Sequence, residues 1–264
     1  MLEALKSLLV GIVQGLTEYL PVSSSGHIEL AQALMSHKIE DEATFSVILH
    51  LATVLSTVVV LRARIGEILA GLLQFKNNEA LHFSLRIVVS MVPAALVGFF
   101  LESWLDQFFE GQILLVGCCL WLTAILLYVA NNAKKTECKV GYIEAFWIGL
   151  AQMVAILPGV SRSGATIATA VLLRVDKGRA AEFSFLMVIP LILGKVAKDI
   201  LGGDIASATL ADVNIWLGFL AAFFVGIFAC TWMINLVKRG QLVYFSIYCA
   251  IVGTIAIIAG LLSL

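Results

Sequence analysis

Two short strings hold most of the reactive side chains of this chain. The first is Gln14-Gly15-Leu16-Thr17-Glu18-Tyr19-Leu20-Pro21-Val22-Ser23-Ser24-Ser25-Gly26-His27. Gln14 and Glu18 are four residues apart, so on a helix they share one face. The flanking sequence is apolar, and a carboxylate in such surroundings needs a partner or a water-filled cavity. Pro21 stops the helix and frees the hydroxyls of Ser23, Ser24 and Ser25. Together with the backbone N–H groups of a helix beginning near Gly26, they could surround an anion. His27 adds a group that exchanges protons near neutral pH. In the second string, Leu157-Pro158-Gly159-Val160-Ser161-Arg162-Ser163-Gly164-Ala165-Thr166, the guanidinium of Arg162 suits phosphate oxygens. Ser161, Ser163 and Thr166 add donors there, and Gly159 and Gly164 let backbone approach a ligand closely.

The strings are two copies of one segment. Gly11, Gln14, Val22, Ser23, Ser25 and Gly26 return 138 residues later as Gly149, Gln152, Val160, Ser161, Ser163 and Gly164. The same offset carries Leu34 onto Leu172, Phe45-Ser46 onto Phe183-Ser184 and Leu55 onto Leu193, so an internal duplication is the plain reading. The copies have diverged in a complementary way: Glu18, Ser24 and His27 correspond to Ile156, Arg162 and Ala165. One copy keeps acid, hydroxyl and imidazole, and the other supplies the anion clamp. A serine run alone is more often a turn or cap. The repeat and Arg162 tip the balance toward a site where the copies meet.

The elements that position these residues follow from composition. With 61% hydrophobic and 13% charged residues, the chain reads as an all-α integral membrane protein. Six stretches approach the ~20 residues needed to cross a bilayer: Ala43–Leu61, Leu85–Leu101, Ile113–Ala130, Phe183–Leu201, Ile215–Val237 and Leu242–Leu264. Ala4–Leu20 with Ile28–Leu34, and Tyr142–Leu157 with Ile167–Leu173, are shorter pairs broken by proline, serine and glycine. They read as two re-entrant helical hairpins of the kind that frames a binding site. Residues 1–264 thus form one polytopic domain with internal repeats at about 1–130 and 139–264. Three spans after each hairpin would give the repeats inverted topology.

Charge supports that topology. One face receives Arg62, Arg64, Lys76, Lys134, Lys135, Lys139, Arg174, Lys177, Arg179, Lys238 and Arg239, and the other mainly Glu40, Asp41, Glu42, Glu102, Asp106, Glu110, Asp204 and Asp212. The positive-inside rule makes the first face cytoplasmic, with both termini and the first hairpin outside. The net charge of −1 says nothing about nucleic acid, and without a basic tract to suggest it that class is set aside. The five cysteines read as packing residues, His50, Lys195, Lys198 and Asp199 receive no catalytic role, and Glu182 and the tryptophans fit helix ends, interfaces and packing.

The strings resemble the bacterial undecaprenyl-diphosphate phosphatase family associated with bacitracin resistance. The resemblance runs from Gln14-x-x-x-Glu18 and Pro21–His27 through Pro158–Thr166 to Ala181-Glu182-Phe183-Ser184-Phe185. It implies removal of the terminal phosphate of a C55 polyprenyl diphosphate in the plasma membrane, at a site opening outward. It also implies a divalent cation, magnesium or calcium, for which Glu18 is the candidate ligand. Glu18, Ser24, His27 and Arg162 are then the expected catalytic residues, with Gln14, Ser23, Ser25, Gly26, Ser161, Ser163, Gly164 and Thr166 binding substrate. Ser24 is the preferred nucleophile. His27 is its base, or else itself the nucleophile or the activator of a water. The expected partners are the lipid substrate and membrane lipids, and the sequence allows a homo-oligomer without specifying one. The competing reading is a polyprenyl-phosphate flippase or secondary transporter, a class that shares inverted repeats with broken helices.

Overall fold

The computed structural model describes residues 2–28, 42–100, 113–134, 136–202 and 212–262. These residues form α1 (Leu2–Thr17), α2 (Glu42–Val60), α3 (Arg62–Leu72), α4 (Glu79–Phe100), α5 (Ile113–Asn131), α6 (Tyr142–Val154), α7 (Arg162–Leu172), α8 (Lys177–Gly202), α9 (Val213–Arg239) and α10 (Val243–Leu262). Among the described residues, α4, α5, α8, α9 and α10 are each long and apolar enough to cross a membrane. A sixth candidate combines α2 and α3, which bend by 79° at Leu61. Ile125, Tyr128, Phe224, Phe228, Ile251 and Ile255 are exposed, as lipid-facing side chains should be. The second arm expected at Ile28–Leu34 lies beyond Ile28 outside the described residues, as do Lys135, Glu40, Asp41, Glu102, Trp104, Asp106, Glu110 and Asp204.

Helix pairing is reciprocal between the halves. α1, from the first hairpin, packs on α9 near the end of the chain, while α6, from the second, packs on α4 near its start. Small residues bring these backbones together. A Cβ on Gly11 would strike the Gly218 carbonyl, and one on Gly149 would strike the Ser90 carbonyl. α5 and α10 form the most extensive helix pair, where Gly117 and Gly253 abut. α7 is held among α5, α6 and α8, and eight of its eleven residues are buried, so the end carrying Arg162 has a fixed position.

One end of the bundle gathers the connections. Cys138 pairs with Val175, Lys177 donates to the Asn131 carbonyl, and the Val243 N–H donates to Asn131 Oδ1. Arg179 donates to the Glu137 carbonyl, Lys139 lies 3.8 Å from Glu79, and Arg64 pairs with Glu182 at 2.8 Å. Of the basic residues assigned to a common face, Arg64, Lys139, Lys177 and Arg179 are tied into these contacts. Asp212, from the acidic set, caps α9 by accepting from the Asn214 N–H at 2.9 Å.

Candidate active site

Both serine-rich tips are built by the same local chemistry. Ser161 caps α7, its Oγ accepting from the Gly164 N–H at 3.1 Å. At the equivalent place in the first copy, Ser23 Oγ accepts from the Gly26 N–H at 3.3 Å and opens a helical turn at 24–28. Each cap leaves the next residue, Ser24 or Arg162, at the start of a helix with its side chain free for other contacts. Ser23 adopts φ 70°, a left-handed conformation that costs a non-glycine residue about 1 kcal/mol or more. Gly159 adopts φ 91° and lies so close to Val116 that no Cβ fits.

The tips touch each other. A Cβ on Gly26 would come within 3.3 Å of Gly159 Cα, and one on Gly164 within 3.2 Å of Pro21 Cβ. Since Pro21 corresponds to Gly159 and Gly26 to Gly164, these are one contact with the copies exchanged. Ser163 Oγ donates to the Leu20 carbonyl at 3.2 Å, and the spans hold both tips from behind: Thr123 Oγ1 accepts from the Ser161 N–H at 3.0 Å, and Cys249 lies against the Pro21 carbonyl.

Glu18 is the hub of the site. It is buried just past the end of α1, where its N–H still donates to the Gln14 carbonyl at 3.0 Å. Its Oε2 accepts from Ser24 Oγ at 3.0 Å and from Gln14 Nε2 at 3.1 Å. Its Oε1 is ion-paired with Arg162, which reaches across from the other hairpin. His50 of α2 places Nε2 3.7 Å from Glu18 Oε2. A cavity of about 10 Å³ adjoins Glu18 and Arg162, with Thr53, Thr57, Ser163 and Ser184 also on its wall. That is room for little more than one water. A larger anion would have to part Arg162 from Glu18 to occupy it. Tyr19 braces the wall through its hydroxyl, which bonds to Ser56, Thr57 and the Thr53 carbonyl.

Residues expected from sequence thus divide by position. Gln14, Glu18, Ser24 and Arg162 converge, and Ser163 lines the same cavity. Ser23 and Ser161 are occupied as caps, Gly26 and Gly164 form the contact between tips, and Ser25 is exposed. Thr166 bonds to the Arg162 carbonyl at 2.8 Å and to Ser184, tying α7 to α8. His27 has other contacts: Nδ1 lies 2.8 Å from the Ser23 carbonyl, and Nε2 lies 2.7 Å from the Tyr248 hydroxyl. The sequence reading passed over His50, Thr53, Thr57, Ser184 and Tyr248. A signal existed for His50, since an ionisable residue inside an apolar span starts with a functional presumption. Another existed for Ser184, half of the repeated Phe-Ser pair. Asp199, by contrast, pairs with Lys195 at 3.7 Å.

The donor set can accommodate a cation. Among the described residues, no three His, Cys, Asp or Glu side chains are grouped to hold a metal. Gln14 Oε1, however, is a buried acceptor without a hydrogen-bond partner among them. With its amide flipped, Gln14 would place that oxygen beside the Glu18 carboxylate, an oxygen pair suited to a hard divalent ion.

A family model described as bacitracin resistance protein BacA matches residues 7–255. The chain is 52% identical over 259 residues to the undecaprenyl-diphosphatase of Christiangramia forsetii, covering 97% of this chain and 98% of that protein. It is 45% identical to the undecaprenyl-diphosphatase of Bacteroides fragilis, with 97% and 98% covered, and 37% identical to that of Methanococcus vannielii, with 93% and 96% covered.

Proposed function

We propose that this chain, which belongs to the bacitracin resistance protein BacA family, is an undecaprenyl-diphosphatase, a membrane phosphatase that releases the terminal phosphate of undecaprenyl diphosphate. The observation that carries the chemical assignment is the buried Glu18 carboxylate, which accepts the Ser24 hydroxyl on one oxygen and pairs with Arg162 through the other. A hydroxyl donating to a carboxylate at 3.0 Å has its proton acceptor already in place. His27 has both ring nitrogens engaged elsewhere, so Glu18 is the base.

The terminal phosphate enters by taking over the guanidinium of Arg162. Ser24 Oγ then attacks the phosphorus in line as its proton passes to Glu18. The new Oγ–P bond forms as the bridging P–O bond breaks, and undecaprenyl monophosphate leaves with that bonding pair. Glu18 passes the serine proton to the departing monophosphate and, as a carboxylate again, takes a proton from the water that attacks the phosphoserine; the P–Oγ bond breaks, inorganic phosphate leaves, and Glu18 returns the proton to Ser24 Oγ. Arg162 balances charge on the equatorial oxygens in both steps. A magnesium or calcium ion held by Glu18 and Gln14 would further neutralise the diphosphate.

The tips are related by inverted repeats, a reading supported by the exchanged contact of Pro21 and Gly26 with Gly164 and Gly159 and by the pairing of α1 with α9 and α6 with α4. The basic residues tied in at one end of the bundle support a plasma-membrane orientation with the site facing outward. The test is purified protein in detergent with C55 polyprenyl diphosphate and magnesium or calcium. Phosphate release, with a trapped phosphate located on Ser24, is the expected result. An absence of release under both ions would overturn the assignment, and a phosphoenzyme on another residue would overturn the role of Ser24.

A further inference from the structure

His50 enters the site from α2, and its geometry states which of its nitrogens is available. Nδ1 lies 2.8 Å from the carbonyl oxygen of Ser46, one helical turn back. A carbonyl only accepts, so Nδ1 carries the proton and a neutral ring leaves Nε2 a bare lone pair. That lone pair faces Glu18 Oε2 at 3.7 Å. An acceptor thus confronts an acceptor, beyond hydrogen-bond reach. The Gln14 amide approaches the same carboxylate oxygen at 3.1 Å from α1, and its own oxygen has no partner among the described residues. Amide oxygen and nitrogen exchange places by a simple flip. With the amide flipped, the Gln14 oxygen from α1 and His50 Nε2 from α2 would both face Glu18 Oε2.

We propose that His50 Nε2 is a ligand of the divalent cation, completing a site with the Glu18 carboxylate and Gln14 Oε1. This inference rests on the cation assignment above. A neutral amide and one carboxylate hold a divalent ion weakly, and an imidazole anchored through its other nitrogen adds a donor of fixed direction. Nitrogen also changes the selectivity: calcium prefers an all-oxygen shell, whereas manganese accepts imidazole readily.

Manganese alone, titrated into the full-length detergent-solubilised protein, reads this out without turnover. Pulsed electron paramagnetic resonance should detect coupling to one imidazole nitrogen in the unaltered protein and in His27→Ala. The coupling should vanish in His50→Ala, with affinity lowered at least about tenfold, the smaller end of what even outer-shell partners cost. His50→Gln, which restores an oxygen donor, should bind manganese more tightly than His50→Ala yet show no nitrogen coupling. Bound manganese without nitrogen coupling in the unaltered protein, or coupling that persists in both His50 variants, would overturn the role of His50 and leave the cation assignment standing. Failure to bind manganese, magnesium or calcium at all would overturn both.

Discussion

Replacing Arg162 by alanine separates two consequences of one ion pair. The guanidinium is 24% exposed and the Glu18 side chain 5%, so the pair is largely out of water. Removing one partner of a buried pair leaves the other charge uncompensated, typically at a cost of about 3–5 kcal/mol. Glu18 keeps hydrogen bonds from Ser24 and Gln14, which places the expected loss of stability near ~3 kcal/mol, the lower end. Turnover should fall by roughly 10²–10³, the effect of deleting one preorganised anion donor. Arg162→Lys keeps the charge without the planar fork and should fall between the two. The sharper test combines Arg162→Ala with Glu18→Gln. Neutralising the stranded carboxylate should raise the thermal midpoint in detergent above that of Arg162→Ala alone, while phosphate release falls below that of the single variant. A double variant less stable than the single one, or an Arg162→Ala protein with near-normal phosphate release, would refute the reasoning.

Ser24→Ala should lower turnover by at least ~10³, the scale of losing a nucleophile, and mass spectrometry of quenched reactions should find no phosphoserine. Gly159→Ala forces a Cβ at φ 91° against the Val116 backbone and should destabilise the protein by about 2 kcal/mol or more, measured as a lowered thermal midpoint. An unchanged midpoint would mean the tip relaxes freely. Tyr248→Phe removes the hydroxyl 2.7 Å from His27 Nε2 and with it a hydrogen bond worth about 0.5–1.5 kcal/mol. Turnover should drop a few-fold with little change in KM, because His27 steadies the strained Ser23 backbone that presents Ser24. Unaltered kinetics would show that the turn needs no such support.

The sequence alone determined the membrane class, the spans and the two hairpin tips, because hydropathy over ~20 residues and a proline-serine-glycine break are local signals. It also determined that Glu18 and Gln14 share a face and that Ser24 and Arg162 occupy equivalent places in two copies, since helical period and repeat offset are properties of the string. Tertiary structure decided which of the candidate groups meet. Ser23 and Ser161 look as reactive in sequence as Ser24 and Ser163, yet backbone N–H groups take their hydroxyls as caps. His27 follows the serine run and was a natural choice for its base, while His50, 32 residues beyond Glu18, received no role. The packing reverses their positions: Tyr248 from α10 engages His27, and α2 brings His50 to the carboxylate. Partners at separations of 32 and 221 residues are chosen by helix packing, and helix packing depends on the shapes of whole faces that no local pattern encodes.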